Sequence, residues 1–435
     1  MGRYVSRTYP SGSRLATTKA VRIWQIAGCV LAVVAVLALS PAICPGKAGD
    51  SLEHQLREAA TYGDLGSVKR LLADGVDIDG KDFSGMTALM YSAQAGHIKV
   101  VRMLLKMGAD LHAKDNGGNT ALSWAAKEGE AAVADLLRAH GAEVTLGDAV
   151  CLGDVRRVRR LMKRLPAGHA VVGLDGLPAM LWAAKGGHLH VVKLLLDRGA
   201  SVDAKNWEGF TALMFAARGG YTEVTALLLE HGADANACSD SGWTALAGAA
   251  QMGHSEVVRL LLGKGVDVNK VSGVRKTTPL MFAAWNGRTE VVELLVKAGA
   301  DLTREDRFGW TALVGAAAEG HWEVVKTLLD YGADVNTANH YGVTALKKAV
   351  DQGEIEMVRA LLERGARVND KLGDGSTILM WATISGRADV LSLLLEKGAD
   401  VNARTEEGFT ALTWATALGR EEIISLLRKH AAREL

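Results

Sequence analysis

The chain is poor in cysteine and lacks the cysteine patterns that build metal and redox sites. Only four of its 435 residues are Cys, and Cys151 and Cys238 are the two that lie beyond residue 50. No Cys-x-x-Cys pair occurs. Zinc sites and thiol-disulfide motifs of the common spacings are therefore not indicated.

Motifs of the common catalytic sites are also missing. The sequence contains no Gly-x-Ser-x-Gly and no Gly-x-x-x-x-Gly-Lys-Ser/Thr. Its acidic residues recur at turns and on helix surfaces, where capping and solvation account for them. We therefore predict no catalytic residues, no metal, no cofactor and no small-molecule substrate.

The chain has no large excess of charge of either sign. Its formal net charge is +1, with 50 Lys and Arg against 49 Asp and Glu. Residues 1–50 hold six of the basic residues and one of the acids, which leaves 44 against 48 and a body of net charge −4. A mildly acidic body argues against general nucleic-acid binding.

A period of 33 residues is present along almost all of the chain beyond Ser51. It is marked by a threonine, usually in a Thr-Ala-Leu step, with one spacing of 34 before Thr278 and with Pro178 in the same position of its own unit. The marks are Thr87, Thr120, Thr211, Thr244, Thr278, Thr311, Thr344, Thr377 and Thr410. A fixed period in this range predicts a stacked solenoid, in which each unit contacts only its neighbours.

Each unit has the signals of two short helices. In one unit, Thr244 is placed to cap a first helix and Gly253 ends it. Apolar residues at helical spacing follow in the segment 257–262, and Gly265 ends the second helix. Cys151 and Cys238 fall two to three units apart, which is roughly 20 Å in a stack of helices. A disulfide needs Cα atoms within about 7 Å, so we expect none between them.

The unit resembles the ankyrin repeat. The segment from Gly320 to Asn336 reads Gly-His-Trp-Glu-Val-Val-Lys-Thr-Leu-Leu-Asp-Tyr-Gly-Ala-Asp-Val-Asn, and similar segments recur in register over roughly residues 50–435. The resemblance implies ten to twelve helix-turn-helix units with short hairpin turns, and protein partners as a class. Most units lack the histidine of the family's Thr-Pro-Leu-His step, which helps to tie adjacent units, so the ties are expected to be weaker or different.

The period breaks once, between Thr120 and Pro178, which are 58 residues apart instead of 66. Gly153 marks an extra unit that starts near Val144, so the turn before it must be short. We therefore divide the repeats into an N-terminal block, 50–165, and a C-terminal block, 166–435. A local change of stacking angle is expected near residues 142–177.

The N-terminus differs in composition from the repeats. Residues 1–22 form a basic leader with five Lys and Arg and no acid, and residues 23–43 form an apolar run. A run of this length can just span a bilayer as one helix, with the basic leader on the cytoplasmic side and the repeats outside, as in a bacterial periplasm. The alternative is a signal peptide cleaved after Ser40-Pro41-Ala42, which gives a secreted or periplasmic protein. The predicted fold is thus an all-α ankyrin-repeat solenoid with one N-terminal hydrophobic helix.

Two residue classes that bind ligands elsewhere have structural explanations here. His97, His188, His254 and His321 each follow a mid-unit glycine, and stacked units hold them too far apart to share a metal ion. Aromatic residues four positions after the threonine are expected in the core between helices: Trp124, Trp182, Phe215, Phe282, Trp381 and Trp414.

Other aromatic residues fall at turn tips and on the inner helix face, where the ankyrin resemblance places partner contacts. The predicted partner-binding residues are Trp207, Phe210, Trp243, Trp285, Phe308, Trp310 and Tyr341, and Phe83 and Phe409 occupy similar positions. Those just before the threonine, such as Trp243 and Trp310, either pack on the next turn or contact the partner. The others have no evident packing use, and aromatic residues dominate binding hot spots.

The second helix of the irregular unit, 154–165, is strongly basic. Its apolar residues explain its packing, and its predicted anionic-contact residues are Arg156, Arg157, Arg159, Arg160, Lys163 and Arg164. These side chains either coat a solvated face or bind an anionic partner, which can be phospholipid heads or an acidic protein.

The function predicted from these features is that of a non-enzymatic scaffold anchored in a membrane through residues 23–43. It binds a protein partner through the concave face and turn tips of the stack. The alternative is a structural protein of the membrane surface that uses the basic helix 154–165 to contact anionic lipid.

Overall fold

The computed structural model describes residues 51–163, 173–372 and 375–431. These residues are all-helical, with 24 α-helices and one short 3-10 helix, Leu174–Gly176. The basic leader, the apolar run with its predicted N-terminal helix, and the boundary drawn at residue 165 lie outside them. Among the described helices, none combines the length and apolar character that a membrane span requires.

Within the described ranges the helices pair into twelve consecutive units, which agrees with the predicted solenoid. The first helices of units 1–12 are α1 Leu52–Tyr62, α3 Ala88–Gln94, α5 Ala121–Glu128, α7 Leu146–Cys151, α9 Ala179–Lys185, α11 Ala212–Gly219, α13 Ala245–Met252, α15 Pro279–Trp285, α17 Ala312–Ala318, α19 Ala345–Gln352, α21 Ile378–Ser385 and α23 Ala411–Ala417. The second helices are α2 Leu65–Ala73, α4 Ile98–Lys106, α6 Ala131–Ala139, α8 Val155–Met162, α10 Leu189–Asp197, α12 Thr222–Glu230, α14 Ser255–Leu262, α16 Thr289–Lys297, α18 Trp322–Asp330, α20 Ile355–Glu363, α22 Ala388–Glu396 and α24 Glu421–Ala431.

The repeating threonine begins the first helix, as predicted. The Thr244 hydroxyl accepts a hydrogen bond from the backbone N–H of Ala247 at 3.1 Å, which satisfies one of the free amides of the first turn. Thr211 and Thr377 differ, because their hydroxyl oxygens are buried without a hydrogen-bond partner. At these two positions the threonine contributes its extended backbone and its small buried side chain instead of a capping bond.

Small residues of the first helices and branched residues of the second helices form the core. Ala216 and Ala217 in α11, and Val258 and Leu261 in α14, have no exposed side-chain surface. Large and small residues interlock between neighbouring first helices: the indole of Trp285 fills the space where a Cβ on Gly315 would lie. The apolar side of each unit is thus buried by the units beside it.

The mid-unit histidines supply a tie between neighbouring units. Nε2 of His188 donates to the carbonyl of Cys151, at the end of the preceding first helix, over 2.7 Å. The ring lies against Gly153, whose φ is +68°, and a Cβ there would come within 2.6 Å of the imidazole. Glycine is therefore required both for the left-handed backbone and for the approach of the ring.

The same tie recurs along the stack. It joins adjacent units although most of them lack the histidine of the Thr-Pro-Leu-His step. Nε2 of His97, His254 and His321 meets the carbonyls of Thr61, Arg218 and Trp285 at 2.8, 3.0 and 3.1 Å. Arginine takes the position in two other units, where Arg288 donates to Gln251 and Arg387 to Gln352. The ties are thus different in kind, and each histidine is occupied by a carbonyl of its own neighbour.

A second ladder joins the units after the second helices. The side-chain oxygen of Asn236 accepts from the backbone N–H of Asp267 at 3.0 Å, and Asn269 does the same for Asp301 at 2.8 Å. Unit 8 has Thr303 at this position, and the pattern resumes with Asn336 in unit 9 and Asn369 in unit 10. The Asn bonds join neighbouring units after the C-terminal ends of the second helices, and the histidine ties join them at the N-terminal ends. Together the two sets of bonds fix the spacing between units.

Unit 4 is the irregular unit that the broken period predicts. Only six residues separate α6 from α7, and a reciprocal capping box between the N-cap Thr145 and Asp148 holds the first turn of α7. After the unit, Asp175 lies in the left-handed region with φ +56°. Its carboxylate accepts from Lys127 Nζ at 2.7 Å and from Asn119 Nδ2 at 3.1 Å, both in unit 3. A side-chain contact from unit 3 to the start of unit 5 thus spans the place of the shortened turn.

Cys151 and Cys238 are both free thiols, as the predicted distance between them requires. Burial of Cys151 between units 3, 4 and 5 raises the pKa of its thiol to about 12, and the nearby carboxylate of Asp148 adds to the shift. At pH 8 the reactive thiolate of Cys151 is therefore populated at about one part in ten thousand.

We predict that iodoacetamide at pH 8 labels Cys238 in the folded chain and leaves Cys151 unlabelled. Peptide mass spectrometry after a timed reaction measures both sites separately. In urea both thiols should react at similar rates, because burial is then lost. Equal labelling of the two sites in the folded chain would contradict the buried position of Cys151.

Candidate functional site

An acidic or amide side chain at the start of the tip holds several of the turns between units, which are those that begin at Asp82, Asp115, Asn206, Asp306 and Asn339. In unit 9 the Asp306 carboxylate accepts from the backbone N–H groups of Phe308 at 2.8 Å and Trp310 at 2.9 Å. In unit 10 the Asn339 side-chain oxygen accepts in the same way from Tyr341 at 2.9 Å. Because the polar side chain folds inward to make these bonds, the side chain two residues later points outward.

The tips of units 6–10 form one continuous row. The backbone N–H of Asp240 donates to Glu208, that of Gly273 to Ser241, and that of Arg307 to Arg275, at 2.7–3.0 Å. His340 continues the row with a bond to the Phe308 carbonyl at 3.2 Å. Neighbouring tips therefore lie side by side and present their outward side chains along one edge.

Large apolar side chains are exposed along this row. Trp207 is 71% exposed, Val274 81%, Phe308 41% and Tyr341 64%. We call these four side chains the tip ridge. Val274 was not predicted from the sequence, because the extra residue of its 34-residue unit shifts it relative to the repeat pattern. Its position between Gly273 and Arg275 in a tip is the sequence signal that indicates exposure.

The extra residue of unit 8 also positions a stacked arginine. The tip there is closed by a backbone hydrogen bond from the N–H of Ser272 to the carbonyl of Thr277, which makes it one residue longer than the tip of unit 6. Lys276 adopts the left-handed backbone conformation, with φ +59°, in this longer tip. The guanidinium of Arg275 lies 4.7 Å from the ring centroid of Trp285 and 5.5 Å from that of Phe308. Its Nε is 2.6 Å from the Asp306 carboxylate, which is fully buried. Arg275 is therefore held rigidly beside the tip ridge.

Trp285 has a packing role that the sequence did not indicate. Its indole Nε1 donates to the carbonyl of Thr311 at 3.3 Å, and its ring fills the groove above Gly315 in the next unit. The side chain is half-buried as a result. The expectation that the stack has no use for Trp285 is wrong, and the residue belongs in part to the contact between units 8 and 9.

The residues just before the threonine also pack within the stack. The ring of Phe210 lies 5.8 Å from Phe215, and the ring of Trp243 meets Phe282 edge-on at 5.0 Å. Trp310 is half-buried at the same position of unit 9. Of the seven predicted residues, the structure thus places Trp207, Phe308 and Tyr341 in the tip ridge and the other four on the half-buried inner face beside it.

The aromatic residues predicted for the core are half-buried instead. A lysine amine covers three of their rings: Lys127 lies 4.2 Å from the Trp124 centroid, Lys185 5.1 Å from Trp182 and Lys347 3.8 Å from Trp381. The reason is that these rings lie on the inner face of the first helices, where no further layer covers them. They extend the aromatic surface from the tip ridge over neighbouring units.

The predicted anionic-contact residues lie on the opposite side of the stack, on the outer helices. Arg156, Arg159, Arg160 and Lys163 are exposed and Arg157 is half-buried. Arg164 lies outside the described residues. The structure therefore separates the two predicted sites, which share no side chain.

Comparison with family models identifies one family, described as "Ankyrin repeats (3 copies)", at residues 56–148, 146–239, 231–306, 280–372 and 366–434. Among solved structures, 568 chains match. One is described as "Crystal structure of human ASB11 ankyrin repeat domain"; it is 27% identical, with a TM-score of 0.46, and the match covers 50% of this chain and 96% of that chain. No curated protein matches the chain.

We predict that Trp285→Ala destabilises the fold and that Tyr341→Ala does not. Loss of the Trp285 ring opens a cavity above Gly315 and removes a hydrogen bond, which should cost about 2 kcal/mol. Tyr341 makes no such contact, and its loss should change stability by less than about 0.5 kcal/mol. Urea unfolding followed by circular dichroism measures both, and equal shifts of the two midpoints would contradict the packing role of Trp285.

Proposed function

The chain belongs to the ankyrin repeat family, and we propose that it is a non-enzymatic scaffold that binds a protein partner through the tip ridge and the adjoining inner face of units 6–10. The exposure of Trp207, Val274, Phe308 and Tyr341 along one hydrogen-bonded row carries this proposal. Burial of each such side chain would contribute about 1.5–3 kcal/mol of favourable free energy, which is lost while the side chain stays in water. Exposed apolar surface marks interaction sites, and here it follows the row on both sides of the polar tip of unit 7 at Asp240 and Ser241.

Arg275 supports the same surface. Tryptophan, tyrosine and arginine are the residues enriched in binding hot spots, and all three occur here within three neighbouring units. Because Asp306 and the two aromatic rings already hold the guanidinium, little side-chain entropy is lost when a partner contacts it. A rigid, partly apolar surface with one fixed cation suits a protein partner that offers apolar side chains and an acceptor group.

We also propose that residues 23–43 anchor the protein in a membrane, with the N-terminus cytoplasmic and the units on the extracytoplasmic side. The support is the composition of the basic leader and the apolar run. A protein released after signal-peptide cleavage is the alternative. N-terminal sequencing of the mature protein distinguishes them, because only cleavage removes the leader.

The proposed partner surface can be tested in the native host with a photo-crosslinking amino acid at position 341. The matched control carries it at position 356, which is exposed on the outer helix α20 of the same unit. We expect position 341 to give a discrete crosslinked product with one protein and position 356 to give none with that protein. Equal crosslinking from both positions would contradict the assignment of the surface.

The variant Trp207→Ala/Tyr341→Ala then measures the contribution of the tip ridge. Removal of two hot-spot side chains should weaken binding of the crosslinked protein by about tenfold or more. Phe83→Ala is the control, because Phe83 is a 97% exposed tip residue in unit 2, beyond the irregular unit. If Phe83→Ala weakens binding as much as the double variant, general tip hydrophobicity and not the tip ridge is responsible.

A further inference from the structure

The outer helices carry opposite net charges in the two parts of the stack. The second helices of units 1–5 together contain eleven Lys and Arg residues against two acids. The second helices of units 6–12 contain six against thirteen. The overall net charge of +1 does not reveal this separation of basic and acidic helices, because the two parts nearly cancel. It gives the outer side of the stack a basic part near the N-terminus and an acidic part beyond it.

The basic residues of α4 and α8 have no ion-pair partner among the described residues, and the same holds for Lys69 and Arg70 of α2 and for Lys193 of α10. In later units several outer cations have a carboxylate partner: Arg259 lies 2.8 Å from Glu290 and Arg364 2.6 Å from Asp330. On α6, between α4 and α8, Arg138 pairs with Asp135 and Asp154. We call the exposed basic side chains of α4 and α8 the basic outer surface: Lys99, Arg102, Lys106, Arg156, Arg159, Arg160 and Lys163.

The fold does not need these charges. Helix α8 packs against its neighbours through Val158 and Met162, which are buried. Its four arginines are not among its buried residues. Arg156 lies three and four residues before Arg159 and Arg160, so like charges are neighbours on the helix surface. Such pairs destabilise a helix in the absence of an anion. The arrangement is therefore better explained by a ligand than by stability.

We propose that the basic outer surface lies against an anionic phospholipid bilayer. Its cations come from an open row of outer helices in units 2–4, spread over roughly 20 Å, and they do not converge on one point. A spread of this kind matches many separate headgroups and not a single bound phosphate. The proposal rests on the proposed membrane anchor, because the apolar run that ends at residue 43 would hold the N-terminal units, which begin with α1 at Leu52, near the bilayer.

This orientation has a consequence for the rest of the stack. The acidic outer helices of units 6–12 are repelled by an anionic surface, so the C-terminal part tilts away from the bilayer. The tip ridge lies on a different side of the units from the outer helices and stays open to a partner. The proposal uses no residue of the tip ridge, so it and the proposed partner surface can fail independently.

The test compares binding of the full chain to vesicles of phosphatidylcholine and to vesicles of equal parts phosphatidylcholine and phosphatidylglycerol. The ratio of the two affinities measures the electrostatic contribution, and the apolar run contributes to both. Arg156→Glu/Arg159→Glu/Arg160→Glu should lower this ratio by about tenfold or more, because each basic residue near an anionic surface contributes several-fold. Higher salt should reduce the difference between the wild type and the variant.

The matched control is Arg359→Glu/Arg428→Glu/Lys429→Glu, which changes the net charge equally but lies on α20 and α24 in the acidic part. It should leave the ratio close to the wild-type value, and circular dichroism should show that both variants fold. If the two triple variants lower the ratio equally, total charge is responsible and the proposal is wrong. An unchanged ratio in the α8 variant also overturns it and indicates an acidic protein as the ligand of these arginines.

Discussion

Each unit of this stack can bury its apolar side only on the units beside it, and the rest of the structure depends on that constraint. The helices have 6–11 residues, a length that is marginal for a helix alone in water. Two sets of directional bonds fix how neighbours meet: an imidazole or guanidinium bound to a helix-end carbonyl, and an Asn side chain bound to the next unit's backbone. At the irregular unit 4 an additional ion pair, between the buried Lys127 and the more exposed Asp175, crosses the shortened turn.

Surfaces that are not used for stacking are left to carry function. The tips are closed by local bonds from Asp306, Asn339 and their equivalents, so their outward side chains have no part in holding the units together. The outer helices need only one apolar stripe each, and their exposed charges can differ between units without effect on packing. The tip ridge and the basic outer surface are two results of this freedom, on different sides of the same stack.

The period, the helix pairs and the threonine caps could be predicted from the sequence because they depend on local chemistry that repeats. Trp285 could not, since its packing depends on Gly315 in the next unit, 30 residues later, and on the longer tip that brings Arg275 over its ring. Trp124, Trp182 and Trp381 were expected in the core because the repeat pattern does not show that the inner face lacks a covering layer. The partner itself could not be predicted from the sequence, because the positions of exposed side chains define a surface and not the ligand that binds it.

Amide hydrogen exchange in the variant His188→Ala tests the nearest-neighbour account most directly. The substitution leaves the Cys151 carbonyl without its tie, whereas His190→Ala removes an exposed histidine two residues away as the control. The account predicts faster exchange in α7–α10, little change in α19–α22, and wild-type exchange throughout in the control. A uniform increase along the whole stack, or no change in units 4 and 5, would contradict it.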